Sequence, residues 1–329
     1  NGLQLTRILR RLNVDARMFV YDASAEWPNV IYELRNSPWE LINRFMTTLE
    51  KQFSSYGFLP IYTIRLLVHS FIRQADIIHL QMIHGVPFFS LLALPLLSRK
   101  KTVILSLHDP WMATGHCVHP LDCQRWKVGC GLCPDLKRPF EIKSDHTHFN
   151  WRVKKWIFDH SKIHLVAASQ WTYRIIQDSP ILSDLPCTVI PFGLNTRIFY
   201  PHDKQTSRQK LGIPANNHVI MFRCMAGTPY KGLRYIKEAL AELDNTRHNI
   251  TLLTVGSTGL IPELTSKYQI IEMGTVYEPE KMADVLSAAD IFLMPSIAES
   301  FGMMAVEAMA CGVIPLVFEG TALPDITHA

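Results

Sequence analysis

Two glutamates, Glu299 and Glu307, stand either side of Gly302 in the run Pro295-Ser-Ile-Ala-Glu-Ser-Phe-Gly-Met-Met-Ala-Val-Glu-Ala-Met-Ala-Cys-Gly312. The pattern predicts a strand ending at Pro295, a loop carrying Glu299 and a helix over Gly302–Ala310. The free N–H groups and dipole of that first helical turn favour an anion. Carboxylates beside an anion site are poor phosphate ligands. They suit the hydroxyls of a sugar or a ribose, from which they accept hydrogen bonds. The competing reading is an amphipathic helix with solvated acids at its start, which the dipole alone favours.

A second candidate, His108, follows the apolar run Thr102–Leu107 and precedes Asp109. A strand's carboxyl end is where ligands bind in open α/β sheets. A satisfied core histidine is the alternative. His79 and His84 lack such support and read as core or loop residues. Four cysteines, Cys117, Cys123, Cys130 and Cys133, crowd a short stretch with Gly131 inside the last pair. Four thiolates could hold a structural Zn²⁺, with His116 and His119 as alternative ligands. Disulfides and free thiols are the rival readings. Cys187, Cys224 and Cys311 read as ordinary buried cysteines.

These residues need a frame. Leu5, Ile8, Leu9 and Leu12 have helical spacing, Ala16–Tyr21 reads as a strand and 59–74 as helical. Asp76–Leu80, Thr102–Leu107, Ile163–Ala168 and Thr188–Ile190 are short apolar runs suited to buried parallel strands. After Pro191 the alternation restarts. Strands are expected at His218–Phe222, Ile250–Val255, Ile270–Met273, Ile291–Met294 and Val313–Val317, with helices at 231–243, 278–288 and Gly302–Ala310. Strands separated by amphipathic helices imply two Rossmann-like, doubly wound parallel-sheet domains facing a cleft. The expected domains are 1–190 and 191–329, joined at 191–201.

Composition agrees. The chain has 329 residues, 48% hydrophobic and 19% charged, which suits a two-domain globular enzyme and excludes disorder. Residues 1–190 hold 22 Lys and Arg against 15 Asp and Glu, and residues 191–329 hold 11 against 14. The net charge of +4 is too small for a nucleic-acid binder. Ile77–Ser98 lacks Asp, Glu, Lys and Arg, but its histidines, glycine and prolines fit a strand, loop and helix better than a membrane span. No signal peptide is visible, so a cytoplasmic location is expected. The loop with Arg125, Trp126, Lys127, Lys137 and Arg138 suits a lipid headgroup, an anionic glycan acceptor or a solvated face, and the helix Trp151–Ile157 suits either peripheral contact with the inner face of a membrane or packing of its tryptophans on the sheet.

The segment Glu299–Glu307 resembles the Glu-x7-Glu signature of family 4 retaining nucleotide-sugar glycosyltransferases, which have the GT-B fold. Pro191-Phe-Gly-Leu-Asn195 with Phe199 and Pro201 resembles their interdomain linker, and Lys231-Gly232 their phosphate-contacting pair. Val255-Gly256 and Met273-Gly274 match their glycine-terminated strands. Leu107-His108-Asp109 with Trp111 and Thr114-Gly115 is similar to a branch that builds bacterial surface polysaccharides.

The resemblance implies a glycosyltransferase that takes a nucleotide diphosphate sugar and a glycan or lipid-linked acceptor. The first domain would be acceptor-side and the second donor-binding. Lys231 and Arg223 would neutralise the diphosphate, so no catalytic metal is expected. Arg223 stands eight residues before the lysine, whereas many members have Arg five before it, at Ala226 here. Arg223 would therefore reach the phosphate by a longer loop or pair with a surface acid. Glu307 would accept from the ribose and Glu299 from the transferred sugar. Ser300, Phe301 and Gly302 would offer backbone N–H groups, and His108 would contact the donor sugar. The family begins with a strand and glycine-rich turn and ends in returning helices. Asn1-Gly2 and Ala329 therefore suggest a fragment clipped at both ends. A nucleotide-sugar epimerase and a non-catalytic binding fragment are the alternatives. A dehydrogenase is disfavoured, since no Gly-x-Gly-x-x-Gly follows a strand.

Overall fold

The computed structural model describes residues 2–21, 30–33, 39–59, 61–84, 88–243 and 249–328. Asn1, Gly85, Pro87 and Ala329 lie outside the described residues. The chain divides into two compact units, Asn1–Ile190 and Pro191–Ala329.

The first unit opens with α1 (Gly2–Arg11), β1 (Met18–Val20) and β2 (Ile31–Glu33), the two strands pairing in parallel. Three helices follow: α2 (Glu40–Gln52), α3 (Tyr62–Val68) and α4 (Ser70–Gln74). The single helix expected over 59–74 is thus two, parted at His69, whose backbone is extended and whose ring Nδ1 accepts from Phe71 N–H. Then come β3 (Ile77–Leu80), α5 (Leu94–Lys100), β4 (Thr102–Leu107), α6 (Thr147–Asp159), β5 (Ile163–Ala167), α7 (Gln170–Asp178) and β6 (Cys187–Val189). β3-β4-β5-β6 form an all-parallel sheet in that order. Within Ile77–Ser98, the described residues give a strand and an apolar helix. No described helix is long and apolar enough to cross a membrane.

Helix α2 inverts the usual pattern. Asn43, Thr47 and Glu50 are buried, while Leu41 and Phe45 are 77% and 66% exposed. The inward polar groups answer backbone donors of the connection that follows. Asn43 Oδ1 accepts from Ile61 N–H at 3.0 Å and Glu50 Oε1 from Phe58 N–H at 2.5 Å. A buried N–H without a partner is costly, so these contacts fix the helix face against its own hydropathy.

The second unit contains α8 (Lys204–Lys210), β7 (His218–Cys224), α9 (Leu233–Glu242), β8 (Ile250–Gly256), β9 (Gln269–Glu272), α10 (Pro279–Ser287), β10 (Ile291–Met294), α11 (Met303–Ala310), β11 (Ile314–Val317) and α12 (Leu323–Thr327). Its five strands run parallel in the order β11-β10-β7-β8-β9. β8 is buried along nearly its whole length, as a strand covered on both faces must be. Val219, Met221, Leu253 and Phe292 join one core cluster, and Phe222, Leu252, Ile236 and Leu240 another. Buried Arg208 ties α8 to the sheet by pairing with Asp290 at 2.8 Å and donating to the Ala288 carbonyl.

Candidate functional site

Strand β7 comes first in the second unit yet lies mid-sheet. The chain winds outward through β8 and β9, then returns to β10 on the other side. The connections after β7 and β10 therefore leave in opposite directions, and ligands bind at such a reversal beyond the carboxyl ends of the strands.

Two loops flank that point. The loop after β7 reaches Lys231 and Gly232, and the loop after β10 runs from Pro295 to Gly302. Lys231 Nζ donates to Glu299 Oε2 at 2.6 Å, with both side chains partly exposed. The loops also interlock through backbone. Gly232 has φ +75°, and a Cβ there would lie 1.9 Å from the Pro295 carbonyl oxygen. Ile297 N–H donates to the Tyr230 carbonyl at 2.9 Å. Only glycine allows both the left-handed backbone and this approach.

Gly302, at φ +99°, caps the amino end of α11. Ala322 N–H donates to the Glu299 carbonyl at 3.1 Å and pins the residue from behind. Ser300 and Phe301 are buried, and the Phe301 ring meets Phe192 at 5.0 Å. Glu307 lies on α11, one turn past Met303. Burial pushes its carboxyl up to about 7, with the positive charge of Arg223 pulling it back. That influence places exposed Arg223, at the end of β7, in the neighbourhood of Glu307. Lys231 and Glu299 thus meet beside the reversal point, with Ser300, Phe301 and Gly302 next in the same loop, Glu307 on the helix that follows and Arg223 near the end of β7. The cations and helix terminus suit a phosphate group, and the carboxylates suit hydroxyls.

In the first unit His108 follows β4 and is partly exposed; burial holds its imidazole below the usual pKa. Sequence reasoning missed the partner of the residue beside it. His84 Nε2 lies 2.7 Å from Asp109 Oδ2, and both residues are more than nine-tenths buried. It also missed Lys154, which is buried rather than on a solvated basic face. Its Nζ donates to the Trp111 and Thr114 carbonyls at 2.6 and 3.0 Å. The signal was available, since Thr147, Asn150, Trp151, Lys154, Ile157 and Phe158 form one helical stripe. Trp151 and Trp126 of the basic segments also turn inward, Trp151 Nε1 donating to the Trp126 carbonyl at 2.8 Å, while Trp156 stays 52% exposed.

Cys117, Cys123, Cys130 and Cys133, the residues of the zinc expectation, form no disulfide. All four are free thiols, and among the described residues no group of three or more His, Cys, Asp or Glu could hold a metal. Two of the thiols have other contacts. Cys130 Sγ accepts from Gly115 N–H at 3.3 Å and Cys133 Sγ lies 3.4 Å from His116 Nε2.

Residues 203–328, within the second unit, match the family described as Glycosyl transferases group 1. A D-inositol 3-phosphate glycosyltransferase of Segniliparus rotundus is 34% identical over 134 residues, covering 38% of this chain and 30% of that protein. Its namesake in Thermobispora bispora is 31% identical over 140 residues, covering 38% and 32%. The matches thus span about a third of those relatives' length. Anabaena HepE, solved in complex with UDP-glucose, has TM-score 0.63 at 18% identity, covering 98% of this chain and 78% of that one. WaaG, a glycosyltransferase involved in lipopolysaccharide biosynthesis, has TM-score 0.62 at 14% identity, covering 97% and 77%. At these identities the likeness concerns the fold, which is GT-B: two Rossmann-like units with parallel sheets.

Proposed function

We propose that the chain serves a retaining glycosyltransferase that moves a sugar from a nucleotide diphosphate donor to a hydroxyl of a polysaccharide or lipid-linked glycan. The observation that carries this reading is the meeting of Lys231 and Glu299 beside the α11 terminus, inside the stretch that matches Glycosyl transferases group 1. The donor diphosphate gains charge as it departs. Lys231, once turned from Glu299, stabilises that charge together with Arg223 and the N–H groups of the α11 terminus. On this reading no divalent ion is needed, and chelation should leave turnover unchanged.

Glu307 accepts from the ribose hydroxyls, and Glu299 from the transferred sugar once Lys231 turns to phosphate. Ser300, Phe301 and Gly302 supply backbone donors to sugar and phosphate. His108 of the first unit contacts the transferred sugar as a neutral imidazole. The named relatives act on D-inositol 3-phosphate, but the family match stays within 203–328. The acceptor would be read by the first unit, so inositol phosphate belongs in the acceptor panel beside glycans.

A thermal-shift screen of nucleotide diphosphate sugars identifies the donor. Turnover of that donor is then compared in the parent, Lys231→Ala and Glu299→Ala. Loss in both supports the assignment, and unchanged turnover in both overturns it.

A further inference from the structure

The first unit contains a buried assembly that the functional reading leaves unused. His84 lies just past β3 and Asp109 just past β4, two paired parallel strands. The Asp109 carboxylate is divided between two donors. Oδ2 takes His84 Nε2 at 2.7 Å and Oδ1 takes Trp111 N–H at 2.9 Å. Burial works to raise the Asp109 pKa, but the His84 contact and the Trp111 N–H outweigh it and hold the group ionised. A buried carboxylate with two donors has one favourable orientation.

The His84 ring is itself fixed. It stacks on Trp111 at 4.9 Å and 16°, and meets Phe140 edge-on at 5.6 Å. Trp111 is fixed in turn. Lys154 Nζ lies 3.4 Å from the ring centroid and donates to the Trp111 carbonyl. A Cβ on Gly57 would approach the far edge of that ring to 2.9 Å. Every one of these contacts bears on the turn that directly follows His108.

We propose that His84 is a positioning residue for His108: through Asp109 it fixes the backbone at 108–111 and so the direction of the His108 imidazole. This deepens the functional reading and rests on the sugar contact assigned there to His108. The chemistry is specific. With Nε2–H given to the Asp109 carboxylate, His84 acts as a single directed donor. Glutamine at this position keeps a donor near Nε2, whereas asparagine is too short to reach the carboxylate.

The test is a double-mutant cycle on the full chain, with donor turnover, nucleoside diphosphate affinity and melting temperature as readouts. His84→Asn is expected to lower kcat about 100-fold, the scale of a reacting group displaced by an ångström, with nucleoside diphosphate affinity unchanged. His84→Gln should recover kcat to within about fivefold of the parent. In a His108→Ala background, His84→Asn should cost nothing further. An equal cost in both backgrounds overturns the positioning role while leaving His108 in place. Parent-like kcat in His108→Ala overturns the sugar contact itself, and the positioning role with it. Should His84→Asn fail to fold, Asp109→Asn serves in its place. It keeps the Oδ1 acceptor for Trp111 N–H but removes the carboxylate facing His84, and the same non-additivity with His108→Ala is expected.

Discussion

Lys231 and Glu299 stand 68 residues apart in the chain and meet at 2.6 Å, each neutralising the other. Under the proposed function the pair would exchange partners. A diphosphate offers Lys231 a stronger, doubly charged partner, and releasing Lys231 frees Glu299 to accept from sugar hydroxyls. Phosphate binding and sugar binding would thus be coupled through one ion pair.

The exchange makes the two side chains interdependent. Lys231→Ala and Glu299→Gln should each reduce kcat/KM about 100-fold, the scale of losing one preorganised electrostatic contact. Combined, they should cost clearly less than the product of the separate losses, because each single change leaves its partner unpaired. Steady-state kinetics of the four proteins checks this.

Glu307 predicts a pH dependence. Its folded pKa, about 7, lies above the unfolded value of 4.5. Its contribution to stability is therefore full below pH 4.5 and is lost as pH rises through about 7. Ribose hydroxyls require the ionised form, so donor affinity should rise between pH 6 and about 8. Calorimetry across that range should find the slope in the parent and a flat profile in Glu307→Gln.

Lys154 predicts a slope in stability at higher pH. Burial lowers its pKa from 10.5 to about 7. Between those values the unfolded chain binds the extra proton, so stability should rise with pH from about 7 towards 10.5. Thermal unfolding of the parent against Lys154→Met reads the difference, and the variant should lose the slope.

Gly232 predicts a structural lesion. Alanine there would place its Cβ 1.9 Å from a backbone oxygen on a residue with φ +75°. A loss of more than about 2 kcal/mol is expected, from strain and clash together. Denaturant unfolding of the second unit's signal measures it.

Much of this was legible beforehand. The inner strands β4, β7 and β8 announce themselves as apolar runs, because they are largely buried and hydropathy there tracks burial, whereas the edge strands β3 and β11 leave apolar residues such as Ile77 and Ile314 exposed. Glu299, Gly302 and Glu307 were legible for a similar reason: a strand, a loop and a helix start follow one another in sequence, so local pattern fixes their placement. Helix α2 was not legible, since the groups it buries are polar and answer donors at 58–61. Nor was His84, whose value lies in a carboxylate 25 residues away that only strand pairing brings near. The cysteine cluster was no more legible. Spacing brings four cysteines into one loop, but whether thiols converge depends on backbone paths that spacing does not encode.

The interlock of Gly232 with Pro295, and of Tyr230 with Ile297, bears on how this protein can be re-engineered. Any side chain at Gly232 would collide with Pro295, so a change in one loop there requires a shift in the other. A swap intended to alter donor preference must carry both segments as a matched set. Natural divergence at this spot should accordingly proceed by concerted change rather than one residue at a time.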